Sequence, residues 1–192
     1  MKNIYIVRHG QSMAQTGEQY SFDADLSDFG RQQAQVVEEA LGTVVFDRAY
    51  ISPLRRARQT FEESNLTAEK NFFDIRLIEL LPRESYESIL PYEKLPDYAK
   101  VIFNDQWLEP LRERVKSFCD DLKKAASGNY LVIAHMGVIS ALLSLLTAEN
   151  GFGDYYMINN CSWSQIMIDE ESCSGKLIHL NETAHLERNG LI

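Results

Sequence analysis

The ten opening residues, Met1-Lys-Asn-Ile-Tyr-Ile-Val-Arg8-His9-Gly10, constrain this chain more than any other stretch. Ile4 to Val7 is a continuous apolar and aromatic run, the pattern of a strand buried on both faces, and such strands belong to sheets covered by helices on either side. Arg8-His9-Gly10 follows where that strand would end. In open parallel sheets ligands bind beyond the carboxyl ends of the strands, and a glycine there lets backbone approach a ligand closely. Arginine offers a fixed fork of donors suited to phosphate or carboxylate, while imidazole can act as nucleophile, acid or base. On these three residues alone, a surface Arg-His pair at a strand end accounts for the pattern equally well.

A chain of 192 residues, 45% hydrophobic, can bury one substantial core and is expected to form a single domain over 1-192. Its formal net charge of -9 argues against non-specific affinity for nucleic acid or for an anionic membrane. Any site for an anion must therefore be a local cluster of arginines and backbone donors. Cys119, Cys161 and Cys173 are odd in number and form no C-x-x-C pair, so neither a disulfide framework nor a thiolate zinc site is suggested. With no signal-like or membrane-length apolar run, the expected location is the cytoplasm.

Further signals follow in order. Ser27 is a suitable N-cap for a helix carrying Ala34, Val37 and Leu41 and closed by Gly42. Arg48 to Ser52 reads as a second strand, with Pro53 in the first turn of a helix that runs through Leu54 to Glu63. Asn71 to Ile75 is a short third strand. From Pro82 to Trp107, prolines and scattered aromatics predict a cap-like insertion at about 82-107. Leu108, Leu111, Val115, Phe118 and Leu122 mark a long amphipathic helix ended by Gly128. Tyr130 to Ala134 is a second clear buried strand, followed by His135-Met136-Gly137 and an apolar helix from Val138 to Leu146. Cys161 to Asp169 and Lys176 to Leu180 read as closing strands.

Three strand ends thus carry polar groups: Arg8-His9-Gly10, Ser52-Pro-Leu-Arg55-Arg56-Ala57 and His135-Met136-Gly137. Parallel neighbours would bring them together, giving two histidines and at least two arginines in one pocket, a place for a phosphoryl or other small anionic substrate in an otherwise acidic chain.

The motifs, taken together and in order, resemble the histidine phosphatase superfamily, the phosphoglycerate-mutase-like group. Arg8-His9-Gly10-Gln11-Ser12 is similar to its opening motif, Asp23-Ala-Asp-Leu26-Ser27-x-x-Gly30-x-Gln-x-Ala34 to its next block, and Ser52-Pro-Leu-Arg-Arg56-Ala57-x-Gln59-Thr60 to the one after. Arg76-Leu77-Ile-Glu79 resembles the segment that supplies an acid, and Val132-Ile-Ala-His135 the second histidine strand. Asn160-Cys161-Ser162 and Leu180-Asn181-Glu-Thr183-Ala-His185-Leu186 are similar to the closing segments of the smaller phosphatases. The resemblance implies an α/β fold, a three-layer sandwich whose mostly parallel central sheet has helices on both faces.

It also implies a phosphomonoester hydrolase for a small metabolite that works without metal or cofactor. His9 would form a phosphohistidine. Arg8, Arg56 and His135 would clamp the phosphoryl oxygens together with backbone N-H groups near Gly10 and Met136, and Glu79 would act as acid and then base. Ser12 and Gln15 are further candidates for the substrate site, although Ser12 suits a helix cap nearly as well. Arg55 and Arg58 read as rim or solvent charges, and His179 and His185 as structural.

The residues after Glu79, Leu-Leu-Pro-Arg83-Glu84-Ser-Tyr86, depart from the family's pattern and leave Glu84 as a second candidate acid. Met136, where glycine is common, would narrow the pocket. Two other functions stay open: a mutase-type phosphotransferase and a regulatory or binding relative with little turnover. The physiological substrate and the oligomeric state do not follow from these residues.

Overall fold

The structure, a computed structural model, describes residues 1-79, 111-147 and 157-192. The expected cap at 82-107, with Arg83, Glu84 and Tyr86, lies outside the described residues.

Strand β1 (Lys2–Arg8) lies at the centre of a six-stranded sheet. It pairs in parallel with β4 (Gly128–Ala134), and β4 pairs in parallel with β2 (Phe46–Ile51), which pairs in parallel with β3 (Ala68–Phe73). On its other side β1 runs antiparallel to β5 (Trp163–Ile168), and β5 to β6 (Gly175–Glu182). The order is therefore β3-β2-β4-β1-β5-β6, mostly parallel, and a short helix, α1 (Met13–Thr16), follows β1.

Side chains alternate across each central strand, so the apolar runs feed a core on each face. Ile4, Ile6, Tyr130, Val132 and Ala134 pack with α5 (Leu111–Lys124) and α6 (Met136–Leu146). Val7, Ala49, Ile51, Leu131 and Ile133 pack on the opposite face with α2 (Asp28–Gln35), α3 (Val37–Leu41) and α7 (Ala184–Arg188). Each fully buried aliphatic side chain contributes roughly 1.5–3 kcal/mol, which is why β1 and β4 tolerate no polar position between Ile4 and Val7 or between Tyr130 and Ala134. Edge strand β3 is mostly exposed, and its alternation is correspondingly weak.

Several boundaries differ from the sequence expectation. The helix after Ser27 is two helices, because Val36, first of a β-branched pair, takes ψ −2° and tightens the turn between them. Gly42 closes the second in a right-handed conformation, with φ −63°. Pro53 precedes the N-cap Leu54, and α4 spans Arg55–Glu63. The third strand starts earlier, at Ala68, and gives way to a 3-10 turn, Ile75–Leu77. Gly128 opens β4 rather than closing the preceding helix. Met136 and Gly137 belong to α6, and Cys161 sits in the turn before β5 with φ +55°.

Ser27 caps α2 by accepting from the Gly30 N-H at 3.0 Å. Gly30 also sets how closely this helix approaches the loop after β1. A Cβ on Gly30 would lie 1.9 Å from the Gln11 carbonyl oxygen, and one on Gly10 2.4 Å from the Gly30 oxygen. Both obstacles are backbone, which cannot rotate away. Gly30→Ala should therefore lower stability by about 3 kcal/mol, in the upper range for overpacking, measured by urea unfolding. A loss below 0.5 kcal/mol would show that α2 shifts without penalty.

Candidate active site

Register brings the three strand ends together: Arg8 is level with Ala134, and Ile51 with Ile133. The His9 N-H donates to the Ala134 carbonyl at 3.0 Å and the Ser52 N-H to the Ile133 carbonyl at 2.9 Å, extending the ladder by one residue on each strand. His9 and His135 consequently face each other with ring centroids 4.9 Å apart. An open pocket of about 260 Å³ is lined by Arg8, His9, Ser12, Ala14, Gln15, Ser21, Phe22 and Arg56.

The tautomer of His9 follows from its partners. Nδ1 lies 2.6 Å from the Gly10 carbonyl, which can only accept, and Nε2 lies 3.2 Å from Arg56 Nε, which can only donate. The proton is therefore on Nδ1, and the Nε2 lone pair points at the arginine. His135 Nε2 is 2.8 Å from Ser52 Oγ, while its Nδ1 is buried without a hydrogen-bond partner among the described residues. Burial, reinforced by Arg56 and Arg8, holds the His9 pKa well below its ordinary value against the opposing Gly10 carbonyl. Burial, Arg56, His9 and Arg8 do the same to His135. Burial also pulls Arg56 down to about 10, with Glu79 and Asp23 opposing the shift.

Neighbouring segments hold these groups in place. Arg56 and Thr60 are carried by α4, whose first N-H, on Arg55, is capped by Asp23 from the preceding loop at 2.6 Å. Gln59 accepts from the Leu26 N-H at 2.7 Å and donates to Asp25 at 2.8 Å, locking the same loop to the helix. Arg56 Nη1 donates to the Phe22 carbonyl at 2.6 Å. Thr60 accepts the Gly10 N-H at 3.0 Å, so Gly10 orients His9 and its N-H is already engaged. Asn160 Nδ2 donates to the His9 carbonyl at 2.8 Å and Gln15 Nε2 to Asn160 Oδ1 at 3.1 Å. Glu79, following the 3-10 turn, accepts from the Gly137 N-H at the start of α6 at 3.1 Å. A Cβ on residue 137 would come 2.5 Å from Glu79 Oε1, so glycine there makes room for the carboxylate.

A model of the histidine phosphatase superfamily (branch 1) matches residues 4–182. The chain belongs to that family. It is 27% identical to phosphoserine phosphatase 1 of Hydrogenobacter thermophilus, over 97% of this chain and 95% of the relative. It is also 27% identical to the adenosylcobalamin/alpha-ribazole phosphatase of Salmonella typhimurium, over 92% and 95%. The solved phosphoglycerate mutase of Bacillus anthracis shares the fold with a TM-score of 0.67 at 18% identity, covering 98% of this chain and 96% of that one. The phosphoglycerate-mutase-like α/β fold expected from the motifs is the one observed.

In this histidine phosphatase, Arg8, His9, Arg56, His135 and Glu79 come together, and Ser12 and Gln15 also line the pocket. Met136 is partly buried against the larger core and is not among the described residues lining the pocket. Arg55, expected as a rim charge, is tied to Asp23 and Asp25, and Arg58 stacks over Phe73 at 5.2 Å. His185 is buried and donates Nε2-H to the Cys161 carbonyl at 2.9 Å. His179 lies beside Trp163 and Glu182. Among the described residues no helix is long and apolar enough to cross a membrane.

Ser52, Thr60 and Asn160 each lie in a motif, but nothing local marks their roles, because their partners are distant in the chain. Arg114 lies outside every motif. The available signal was an arginine one residue before Val115 in the apolar stripe of α5.

Three buried histidines depress stability in acid. The pKa values of His9, His135 and His185 are all lowered, in each case chiefly by burial. As pH falls below the ordinary value of 6.5, the unfolded chain takes up protons that the folded chain refuses, so stability present above 6.5 is lost. Each histidine contributes up to about 1.4 kcal/mol per pH unit. Urea unfolding between pH 7.5 and 5 should show this slope, shallower by one proton in His135→Gln. Equal stability across that range would contradict neutral burial.

Proposed function

We propose that this protein is a metal-independent phosphomonoesterase acting on a small phosphorylated metabolite through a phosphohistidine on His9. The observation that carries the reading is the Nδ1-H tautomer of His9, held by the Gly10 carbonyl, with the Nε2 lone pair directed at Arg56. An unprotonated nitrogen is the form that attacks phosphorus. The phosphatase relatives support the reaction class, and their names, phosphoserine and ribazole phosphatase, favour a small substrate.

A phosphoryl group in the pocket displaces the Arg56 contact from Nε2 and takes the guanidinium for its own oxygens. Arg8 and Arg56 supply charge where the transition state spreads it. His135 joins them once its tautomer is set. Ser52 Oγ receives the Leu54 N-H at 3.4 Å, leaving its hydroxyl proton for His135 Nε2. The His135 proton then sits on Nδ1, which becomes the donor to an anionic oxygen.

His9 Nε2 forms a bond to phosphorus as the bond to the leaving oxygen breaks, and Glu79 gives that oxygen its proton. Nδ1-H, still bound to the Gly10 carbonyl, shares the positive charge of the phosphorylated ring. Water then attacks phosphorus, Glu79 takes its proton, the phosphorus-nitrogen bond breaks and inorganic phosphate leaves. The reading asks nothing of a metal, because guanidinium and imidazole donors meet the charge. The free thiols Cys119, Cys161 and Cys173 favour a reducing, cytoplasmic setting.

With chelator present, wild type should release inorganic phosphate from a nitrophenyl phosphate and from alkyl phosphates, and His9→Ala from neither. Glu79→Gln should lower turnover of alkyl phosphates by about 10²-fold or more while changing the nitrophenyl ester far less, because only the poorer leaving group needs a proton. Radiolabelled phosphate trapped on wild type by quenching in alkaline detergent should be alkali-stable and acid-labile, and His9→Ala should carry none. Phosphate released by His9→Ala at the wild-type rate would defeat the proposal, and transfer to an added hydroxyl in place of release would indicate a phosphotransferase.

A further inference from the structure

Helix α5 turns Val115, Phe118 and Leu122 into the larger core, and Arg114 lies beside them with 4% of its surface exposed. A guanidinium in such a place is costly unless its donors are satisfied, and an aliphatic side chain would pack there without that cost. Its Nη1 donates to three carbonyls: Ile75 at 3.2 Å, Arg76 at 3.1 Å and Ile78 at 2.9 Å. These carbonyls belong to the 3-10 turn and to the residue immediately before Glu79.

The turn is pinned from its other end by different groups. The Asp74 N-H donates to the Ile51 carbonyl at 3.0 Å, Asp74 Oδ1 accepts the Arg76 N-H at 2.9 Å, and Arg76 pairs with Asp121 of α5 at 2.6 Å. Those contacts fix where the turn begins. Arg114 fixes where it ends, and so the direction in which the chain leaves towards Glu79. The carboxylate then meets the Gly137 N-H of α6. A cation also suits the carbonyl end of a short helical turn electrostatically.

We propose that Arg114 is a positioning residue for Glu79: by gathering the carbonyls of Ile75, Arg76 and Ile78 it sets the backbone from which the proton donor reaches the leaving oxygen. The proposal rests on the reading of Glu79 as that donor. It assigns Arg114 no contact with substrate and no part in binding the phosphoryl group.

The test compares Arg114→Met, Glu79→Gln and the double variant across phosphate monoesters whose leaving groups run from nitrophenyl to alkyl, with unfolding curves to establish that each is folded. Arg114→Met should lower kcat for alkyl esters about 10- to 100-fold, the scale of a misplaced catalytic group, change nitrophenyl turnover less than about 3-fold, and leave KM nearly unchanged. The dependence of rate on leaving-group basicity should steepen towards that of Glu79→Gln. The double variant should be no slower on alkyl esters than Glu79→Gln, because what Arg114 positions is that carboxylate.

Arg114→Lys, which keeps a cation but gives up the planar fork, should fall between wild type and Arg114→Met. It carries the same comparison if the methionine variant does not fold. A loss in Arg114→Met or Arg114→Lys that is equal for all leaving groups, or that adds to the Glu79→Gln loss, overturns the positioning role. If Glu79→Gln itself treats all leaving groups alike, the assignment of the proton donor falls, and the role of Arg114 with it.

Discussion

Four groups able to carry positive charge, Arg8, His9, Arg56 and His135, share one end of the sheet, and packing them together is tolerable only because both imidazoles stay neutral. Neutrality is imposed twice on His9, by desolvation with two guanidinium neighbours and by hydrogen-bond partners that admit one tautomer. The same constraint that lets the chain fold around this site leaves the Nε2 lone pair of His9 unprotonated. Stability and chemistry thus draw on one arrangement.

That arrangement depends on segments holding one another at a distance from the pocket. Gln59 ties the loop of Asp25 and Leu26 to α4, Asp23 caps the helix that lacks an N-cap side chain of its own, and Thr60 links the helix back to Gly10. On the other side, Asn160 supports the His9 carbonyl and His185 anchors the turn at Cys161, whose N-H in turn donates to the Arg8 carbonyl at 3.0 Å. The residues that surround His9 are therefore fixed from two opposite elements, and small displacements in either are transmitted to it.

Glu79 is supported differently. It does not lie on a strand end but follows a 3-10 turn, so its position depends on how that turn is terminated as well as on the N-terminus of α6. A short turn has few hydrogen bonds of its own, and the buried guanidinium of Arg114 supplies what regular secondary structure would otherwise provide. Gly137 completes the fit by leaving room for the carboxylate.

The sequence by itself determined the two buried central strands, because continuous apolar runs such as Ile4–Val7 and Tyr130–Ala134 have few alternatives, and it located the polar groups at their ends. It also marked Ser27 as a cap and the stripe of α5. Tertiary structure decided the break at Val36, the early start of β3 and the placement of Gly128 in a strand, since edge exposure and packing override local pattern there. Only the fold could show that Ser52 meets His135, that Thr60 occupies the Gly10 N-H, or that Arg114 reaches the turn before Glu79. Those pairs are separated by 83, 50 and up to 39 residues, and side-chain hydrogen bonds across such separations leave no periodicity in the chain that forms them.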